Sequence, residues 1–329
     1  MIVTPFTEMF GLRYPIALAP MGSVAGGLLA AAVSEAGGLG LVGGGYGEPG
    51  WLREQLSLVQ QRTRRAWGVG LITWSVDRSI VELVLGFRPH ALVLSFGDPA
   101  PYAPLVKSFG CKLICQVQDL EGARQAQAAG ADLIVAQGTE AGGHGGARAT
   151  LPLVPAVVDA VAPTPVLAAG GVADGRGLAA ALMLGATGAL IGTRFYASEE
   201  SLAHERAKQC IADAGGSLTA RTRIFDVVRG LAWPAAYTGR ALKNRFLERW
   251  HGREAELATR EARIGVEYQA AVRDGDFDTA AVWAGEALDL IRRVERAPAL
   301  VTHIGDEAEA LLRRGARLVS PTQGELHVH

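Results

Sequence analysis

The sequence predicts an α/β fold, specifically a (β/α)8 or TIM barrel, and three observations lead to it. The chain has 329 residues, of which 49% are hydrophobic and 20% are charged, so it can bury a large core. Eight short runs rich in Val, Ile, Leu and Ala alternate with helical patterns up to about residue 200. Continuous apolar runs of this kind are typical of parallel strands that are covered on both faces. Glycine is abundant, with 42 residues, and several of these glycines follow the predicted helices.

We predict strands over Ile16–Ala19, Leu39–Val42, Gly68–Ile72, Ala91–Ser95, Lys112–Val117, Leu133–Ala136, Val166–Ala169 and Ala189–Ile191. The clearest helices are predicted over Ala25–Ala36, Pro49–Arg62, Tyr102–Phe109, Leu120–Ala129, Leu153–Val161 and Gly175–Leu184. Gly37, Gly110, Gly130 and Gly185 follow four of these helices, at the position where a left-handed backbone favours glycine. Eight successive units of strand and helix fit a barrel.

The main alternative fold is a doubly wound open sheet. A dinucleotide-binding sheet would carry Gly-x-Gly-x-x-Gly directly after its first strand. The first predicted strand is instead followed by Ala19–Ser23 (APMGS), which lacks that pattern. The glycine-rich stretch Gly38–Gly45 follows the second strand and lacks the Lys-Ser/Thr pair of a phosphate loop. The barrel is therefore the preferred prediction.

The regular alternation of strands and helices stops near Ser198. Residues 201–276 are more charged and helical in pattern, and a last helix over Thr279–Arg293 is predicted to close the barrel. We therefore predict one barrel from residues 1–200 and 277–329. Residues 201–276 are predicted to form a helical insertion, on the substrate side, between the eighth strand and the final helix.

Charge and cysteine content exclude several classes of protein. Lys and Arg total 32 and Asp and Glu total 33, giving a net charge of −1, so no nucleic-acid partner is expected. The chain has three cysteines, and this small, odd number predicts no disulfide framework and a reducing compartment. We interpret Cys111 and Cys115 as small core residues.

The N-terminus lacks the pattern of a signal peptide, and no uninterrupted apolar stretch reaches the ~20 residues of a membrane helix. A cytoplasmic protein with no membrane segment is therefore expected. Neither a His-Glu-x-x-His motif nor a Cys/His quartet occurs, so no metal site is predicted. The oligomeric state stays open, a homodimer included.

Two glycine-containing loops follow the seventh and eighth strands, where barrels of this kind bind phosphate through backbone amides. The first reads Ala168–Gly175 (AAGGVADG) and the second Gly192–Phe195 (GTRF). Gly170 and Gly171 have no Cβ atoms, so a phosphate can approach their amides, and Thr193 adds a hydroxyl. The two loops predict a phosphorylated ligand. The alternative is a pair of tight turns around a pocket that binds no phosphate.

The loop after the sixth strand, Gln137–Gly146 (QGTEAGGHGG), places five glycines around His144. A histidine at the mouth of a barrel can donate a proton to a ligand or accept one from it. A surface histidine on a flexible loop is the alternative interpretation. The position of the loop at a strand end favours the functional one.

These motifs carry a family resemblance. Ala136–Gly146 (AQGTEAGGHGG) resembles the glycine–histidine loop of the nitronate monooxygenases, formerly called 2-nitropropane dioxygenases. Ala168–Gly177 (AAGGVADGRG) and Leu184–Phe195 (LGATGALIGTRF) are similar to the phosphate loops of that family. Ala19–Gly22 and Ala31–Gly40 resemble its first strand–helix unit and its second strand. The resemblance extends over nearly the whole chain.

The resemblance implies an FMN-dependent enzyme that oxidises alkyl nitronates with O2 to a carbonyl compound and nitrite. In that case His144 would hydrogen-bond the nitro group, or take the α-proton of a neutral nitroalkane. Gly70 departs from the family pattern, because many relatives carry Asn there. The residues implied to contact the flavin ring are Pro20, Met21, Gly22, Gly70, Gln116, Gln137, Gly142 and Gly143. The residues implied to bind its phosphate are Ala169, Gly170, Gly171, Gly192 and Thr193.

Other functions remain open at this point. FMN-type enoyl-acyl-carrier-protein reductases and some NADH:quinone reductases share the glycine–histidine loop, and these would take hydride from a nicotinamide cofactor. A flavin-free barrel that binds phosphate, such as a sugar-phosphate isomerase or synthase, is a candidate from another class. A non-catalytic ligand-binding barrel is less attractive because of the loop histidine.

Overall fold

A computed structural model describes residues 1–318 and confirms the predicted (β/α)8 barrel. Eight of its strands are parallel neighbours in one sheet, and three short strands form a second sheet. In chain order, the strands are β1 (Ile16–Leu18), β2 (Gly40–Gly45), β3 (Trp67–Ile72), β4 (Ala91–Ser95), β5 (Lys112–Val117), β6 (Leu133–Gln137), β7 (Gly143–Gly145), β8 (Val166–Ala169), β9 (Gly188–Ile191), β10 (Thr219–Thr222) and β11 (Thr238–Leu242).

The parallel sheet closes on itself. Its strand order is β1-β9-β8-β6-β5-β4-β3-β2, and a parallel bridge between Ala17 and Leu39 joins its two ends. The amide of Leu18 donates to the carbonyl oxygen of Leu39 across this closure, at 2.9 Å. Since all eight strands run the same way, their carboxyl ends meet at one face, where barrels of this kind carry their active sites.

The helices lie where the sequence predicts them, with ends that differ by a few residues, and several more helices are present. They are α1 (Pro5–Phe10), α2 (Gly27–Glu35), α3 (Pro49–Arg62), α4 (Arg78–Gly86), α5 (Ala103–Ser108), α6 (Leu120–Ala128), α7 (Thr150–Val161), α8 (Gly175–Met183), α9 (Thr193–Tyr196), α10 (Glu205–Asp213), α11 (Ile224–Val227), α12 (Arg245–Trp250), α13 (Glu254–Thr259), α14 (Glu261–Asp274) and α15 (Ala297–Gly315). Gly37, Gly110, Gly130 and Gly185 all have φ between 68° and 97°, which confirms their role as helix-ending residues.

The prediction of a closing helix over Thr279–Arg293 is wrong. That segment holds only a 3₁₀ turn over Glu286–Leu290, and the helix that completes the barrel is α15. The backbone of the segment is used in contacts with other elements, because Trp283 bridges to β11 and the Gly285 amide donates to the Thr193 hydroxyl. Pro298 in the first turn of α15 favours the start of a helix there.

The sequence predicts a helical insertion over residues 201–276, but these residues are not wholly helical. They contain β10 and β11, which pair antiparallel with each other. β11 also pairs antiparallel with β7, from the loop that carries His144. These strands have only four and five residues, too few for their period to stand out against the surrounding helical pattern. Their pairing ties residues 201–276 to the loop after β6.

The core confirms the interpretation of Cys111 and Cys115 as packing residues. Both side chains are buried in the layer between strands and helices. Burial raises the pKa of each thiol to about 12, so both stay protonated and unreactive at neutral pH. No helix within residues 1–318 combines the length and the apolar character needed to cross a bilayer.

Candidate active site

A cavity of about 480 Å³ opens at the carboxyl ends of the barrel strands. It brings together every site residue that the sequence singled out, although these come from the ends of six separate strands. The residues that line it include Pro20, Met21, Gly22, Gly70, Gln116, Gln137, Gly142, Gly143, His144, Ala169, Gly170, Gly171, Gly192 and Thr193.

One side of the cavity is formed by the glycine turn after β8 and the turn after β9. Gly170 and Gly171 have φ values of 101° and 76°, a conformation that favours glycine. Within residues 1–318 their amides donate no hydrogen bond. The Thr193 hydroxyl accepts from the Gly285 amide at 3.0 Å, so its own proton is free for a ligand. These groups form a set of donors that suits an anion.

The part of the cavity lining that comes from β2 and β3 is rich in glycine. A Cβ atom at Gly70 would lie 2.3 Å from Cβ and Cγ of Pro20, and one at Gly43 would lie 2.1 Å from the carbonyl oxygen of Met21. Strands β2 and β3 can therefore approach the turn after β1 only with glycine at both positions. The Gly70 departure from the family pattern thus has a steric reason in this chain, since the Pro20 ring occupies the space a side chain would need.

Buried amides hold the loop after β6. Gln137 Nε2 donates to the carbonyl oxygen of His144 at 2.9 Å, and Gln137 Oε1 accepts from Gln118 Nε2 at 2.9 Å. Gln118 is buried and was not identified from the sequence. The amide nitrogen and the amide oxygen of Gln137 are thereby both used in fixing the loop that carries His144.

Two arginines of the insertion, the half-buried Arg221 and the buried Arg240, fix the same loop. Arg221 donates to the carbonyl oxygens of Thr139, Gly145 and Thr238, and Arg240 Nε donates to the Thr139 carbonyl at 2.9 Å. Burial, followed by the charge of Arg240, lowers the pKa of Arg221 to about 10. The guanidinium is still protonated at neutral pH, so it joins β10, β11 and the loop as a charged donor.

His144 is enclosed by groups from residues 201–276. Its Nε2 lies 2.9 Å from each carboxylate oxygen of Asp226, and the two side chains are only 9% and 3% exposed. The imidazole stacks on Trp233 with ring centroids 3.4 Å apart and an angle of 2° between planes. Phe96 meets both rings edge-on.

Further out, Trp233 Nε1 donates to the Tyr46 hydroxyl at 2.9 Å. The Arg229 guanidinium lies 5.8 Å from the centre of the Tyr46 ring. Burial raises the pKa of Tyr46, so this phenol is neutral across the physiological range. All three side chains line the cavity. Arg229 has no ion-pair partner within residues 1–318, which leaves a half-buried cation for a ligand.

Sequence reasoning missed Asp226, Arg229 and Trp233. They lie in Phe225–Trp233, a stretch without a motif, and they reach the cavity only because β10 and β11 pair with β7. A local pattern carries no information about such a long-range contact, so these residues could not be found from spacing.

A cavity at the carboxyl face of a barrel, lined by free backbone amides, several glycines and an enclosed histidine, is of the kind in which barrel enzymes bind their ligands. The chain belongs to the nitronate monooxygenase family, whose model matches residues 4–79 and 72–307. The family resemblance inferred from the motifs is thereby confirmed, and the family is one of oxidoreductases.

Similar proteins differ in their named activities. A probable nitronate monooxygenase of Staphylococcus aureus (strain MSSA476) is 29% identical over 332 residues, covering 85% of this chain and 90% of that protein. A Mycobacterium tuberculosis (strain ATCC 25618 / H37Rv) protein, (3aS,4S,5R,7aS)-5-hydroxy-7a-methyl-1-oxo-octahydro-1H-indene-4-carboxyl-CoA dehydrogenase, is 39% identical over 218 residues. That match covers 64% of this chain and only 61% of the relative.

Two solved structures share the fold closely. FabK from Thermotoga maritima superposes with a TM-score of 0.87 at 32% identity, covering 97% of this chain and all of that one. A nitroalkane oxidase from Streptomyces ansochromogenes gives a TM-score of 0.81 at 30% identity, covering 94% of this chain and 99% of its own. Both comparisons span the barrel and residues 201–276 together.

Proposed function

We propose that the protein is an FMN-dependent nitronate monooxygenase that converts an alkyl nitronate and O2 into a carbonyl compound and nitrite. The observation that carries this proposal is the convergence of all the motif residues on one cavity, in a chain of the nitronate monooxygenase family. The turn after β8 would bind the phosphate of FMN, and the glycine-rich lining from β2 and β3 would leave room for its ring.

The residues present fit FMN. The free amides of Gly170 and Gly171 and the Thr193 hydroxyl would bind its phosphate. The flavin ring would lie against Pro20 and Gly70, because Gly70 has no side chain that would extend into the cavity. When bound, FMN supplies the electron acceptor for the oxidation, and the protein contributes binding, orientation and exclusion of water.

The substrate would lie on the side of the cavity formed by residues 201–276, which we propose as the substrate-side subdomain. A nitronate is an anion, and Arg229, which has no ion-pair partner among residues 1–318, supplies a cation at this side. His144 would take the α-proton when the substrate arrives as a neutral nitroalkane. The aromatic side chains of Trp233 and Phe96 would exclude water from it.

An absorbance spectrum of the purified protein followed by anaerobic additions tests this proposal. We expect a flavin spectrum that bleaches with a nitronate and stays unchanged with NADH, and nitrite release once air is admitted. A colourless protein that cannot be loaded with FMN would overturn the cofactor assignment and favour a flavin-free barrel.

Replacing the loop histidine tests its catalytic role. With a neutral nitroalkane as substrate, His144→Asn should retain flavin and lose about 10²–10⁴-fold in turnover, the usual contribution of a positioned acid or base. His251→Asn, at an exposed histidine, is the matched control and should release nitrite at the unaltered rate. Full turnover by His144→Asn with normal flavin content would remove His144 from the mechanism.

A second candidate is a flavin-dependent reductase. The similarity to FabK over the whole chain favours it, as does the relative named as a CoA dehydrogenase. In that case NADH or NADPH would bleach the flavin anaerobically and a nitronate would not. The same spectroscopic experiment therefore distinguishes the two functions.

A further inference from the structure

We infer that Asp226 is the positioning residue of this site, and that it holds His144 in the tautomer whose Nδ1 is the proton acceptor. The inference rests on the proposed function for its substrate, a nitroalkane or nitronate. It assigns a role to a residue of α11 that no motif indicates.

The contact with Asp226 favours one of the two tautomers of a neutral imidazole. An ionised carboxylate has no proton to donate, so at a distance of 2.9 Å from both its oxygens Nε2 must be the donor. A neutral imidazole has only one N–H, so its other nitrogen, Nδ1, then carries the free electron pair. Within residues 1–318 Asp226 has no other ion-pair partner, and its carboxylate serves His144 alone.

The ring is also fixed in orientation. Trp233 covers one face of it at 3.4 Å, and the His144 backbone is held by Gln137 and by pairing with Gly239 of β11. Nδ1 makes no hydrogen bond within the described chain, while His144 lines the cavity. The nitrogen left for a ligand is therefore Nδ1.

With this arrangement, His144 and Asp226 together can carry out one proton transfer. A neutral nitroalkane loses its α-proton to Nδ1, the electron pair of the broken C–H bond moves into the nitro group, and a nitronate anion results. The imidazole becomes an imidazolium whose positive charge lies beside the Asp226 carboxylate. A substrate supplied as the nitronate has already lost that proton and does not need this step.

The substrate comparison separates positioning from a structural role. In Asp226→Asn the carboxamide can donate to Nε2, which favours the opposite tautomer and removes the free pair from Nδ1. We expect turnover of the neutral nitroalkane to fall at least ten-fold more than turnover of the preformed nitronate. Loss of structure would reduce both equally. Asp226→Glu, which keeps a carboxylate, should recover part of the nitroalkane activity.

The tautomer is measured directly by ¹⁵N NMR of the histidine ring nitrogens in the flavin-loaded protein, assigned with His144→Asn. We expect Nε2 protonated and Nδ1 unprotonated in the unmodified neutral ring, and a change in Asp226→Asn. Asp159→Asn, at an exposed position of α7, should leave the spectrum unaltered. Thermal melting and flavin content confirm that each variant is folded.

A protonated Nδ1 in the unaltered protein would overturn the inference. So would an Asp226→Asn protein with the same tautomer and the same ratio of the two turnovers. These outcomes are distinct from failure of the proposed function, in which neither substrate is oxidised while the NMR spectrum can still show the predicted tautomer.

Discussion

Pro20 and Gly70 illustrate how single residues shape the site. The Pro20 ring fills the volume that a side chain at position 70 would occupy, and both residues line the cavity. A glycine at the end of a buried strand is locally unfavourable, because it packs nothing of its own. Its presence here is explained by the close approach of the turn after β1.

Replacing Gly70 with alanine tests this explanation. A Cβ atom at 2.3 Å from Pro20 must displace the turn, and overpacking of this kind costs about 1–3 kcal/mol. We expect a lower melting temperature and a reduced ratio of flavin to protein absorbance. Gly86→Ala is the matched control, because nothing lies within 4 Å of a Cβ atom there. Equal melting and flavin content in the two variants would contradict the steric explanation.

The residue scale also shows what sequence motifs can and cannot provide. All fourteen residues predicted from the glycine loops and the family resemblance line one cavity, because each motif lies directly after a barrel strand. The groups around His144 could not be predicted in the same way. Asp226 and Trp233 are far from His144 in the chain, and only the folding of residues 201–276 brings them to it.

At the scale of elements, the three-stranded sheet of β7, β10 and β11 connects the loop after β6 to the insertion. Three-residue strands such as β7 cannot be stable alone and depend on side chains that bind their neighbours. Arg221 of β10 supplies this connection, since it donates to carbonyl oxygens of the loop, of β7 and of β11.

Arg221→Met should therefore loosen the loop. The substitution retains an apolar side chain of similar length but leaves several carbonyl oxygens without donors, at about 1–3 kcal/mol for each buried group left unpaired. We predict faster hydrogen exchange across Gln137–Gly146 and a lower melting temperature. Arg273→Met, at an exposed arginine of α14, should exchange like the unmodified protein. Unchanged exchange in Arg221→Met would show that the strand pairing alone holds the loop.

One element also shows where the pattern of residue types in the sequence predicted the wrong secondary structure. The apolar runs of the barrel strands were long enough to predict all eight, whereas Thr279–Arg293 has helical residue types without forming a helix. Its backbone is instead paired with β11 and with Thr193. Tertiary hydrogen bonds outweigh helix propensity in such a short stretch.

For the whole molecule, α15 connects the segment before β1 to the start of α8. The Tyr14 hydroxyl, just before β1, donates to Asp306 at 2.8 Å. The amide of Gly175, at the start of α8, donates to Glu307 at 2.7 Å. Since α8 follows the glycine turn after β8, the position of α15 is coupled to the proposed phosphate site. A change remote from the cavity should therefore alter cofactor binding.

Gly305 is where this coupling can be tested. It faces the buried ring of Tyr14, and a Cβ atom there would lie 2.0 Å from a ring carbon. Alanine is favoured over glycine in a helix by about 1 kcal/mol, so without the clash Gly305→Ala would stabilise the protein. We expect it instead to displace α15, lowering the melting temperature and weakening FMN binding measured by fluorescence titration.

Gly315→Ala provides the control in the same helix, because nothing lies within 4 Å of a Cβ atom at that position. It should melt at the unaltered temperature or above and bind FMN as before. If Gly305→Ala melted lower yet bound FMN with undiminished affinity, α15 would stabilise the barrel without acting on the phosphate turn. If the two variants were alike in both measurements, the contact of α15 with Tyr14 would have no part in holding the closed barrel together.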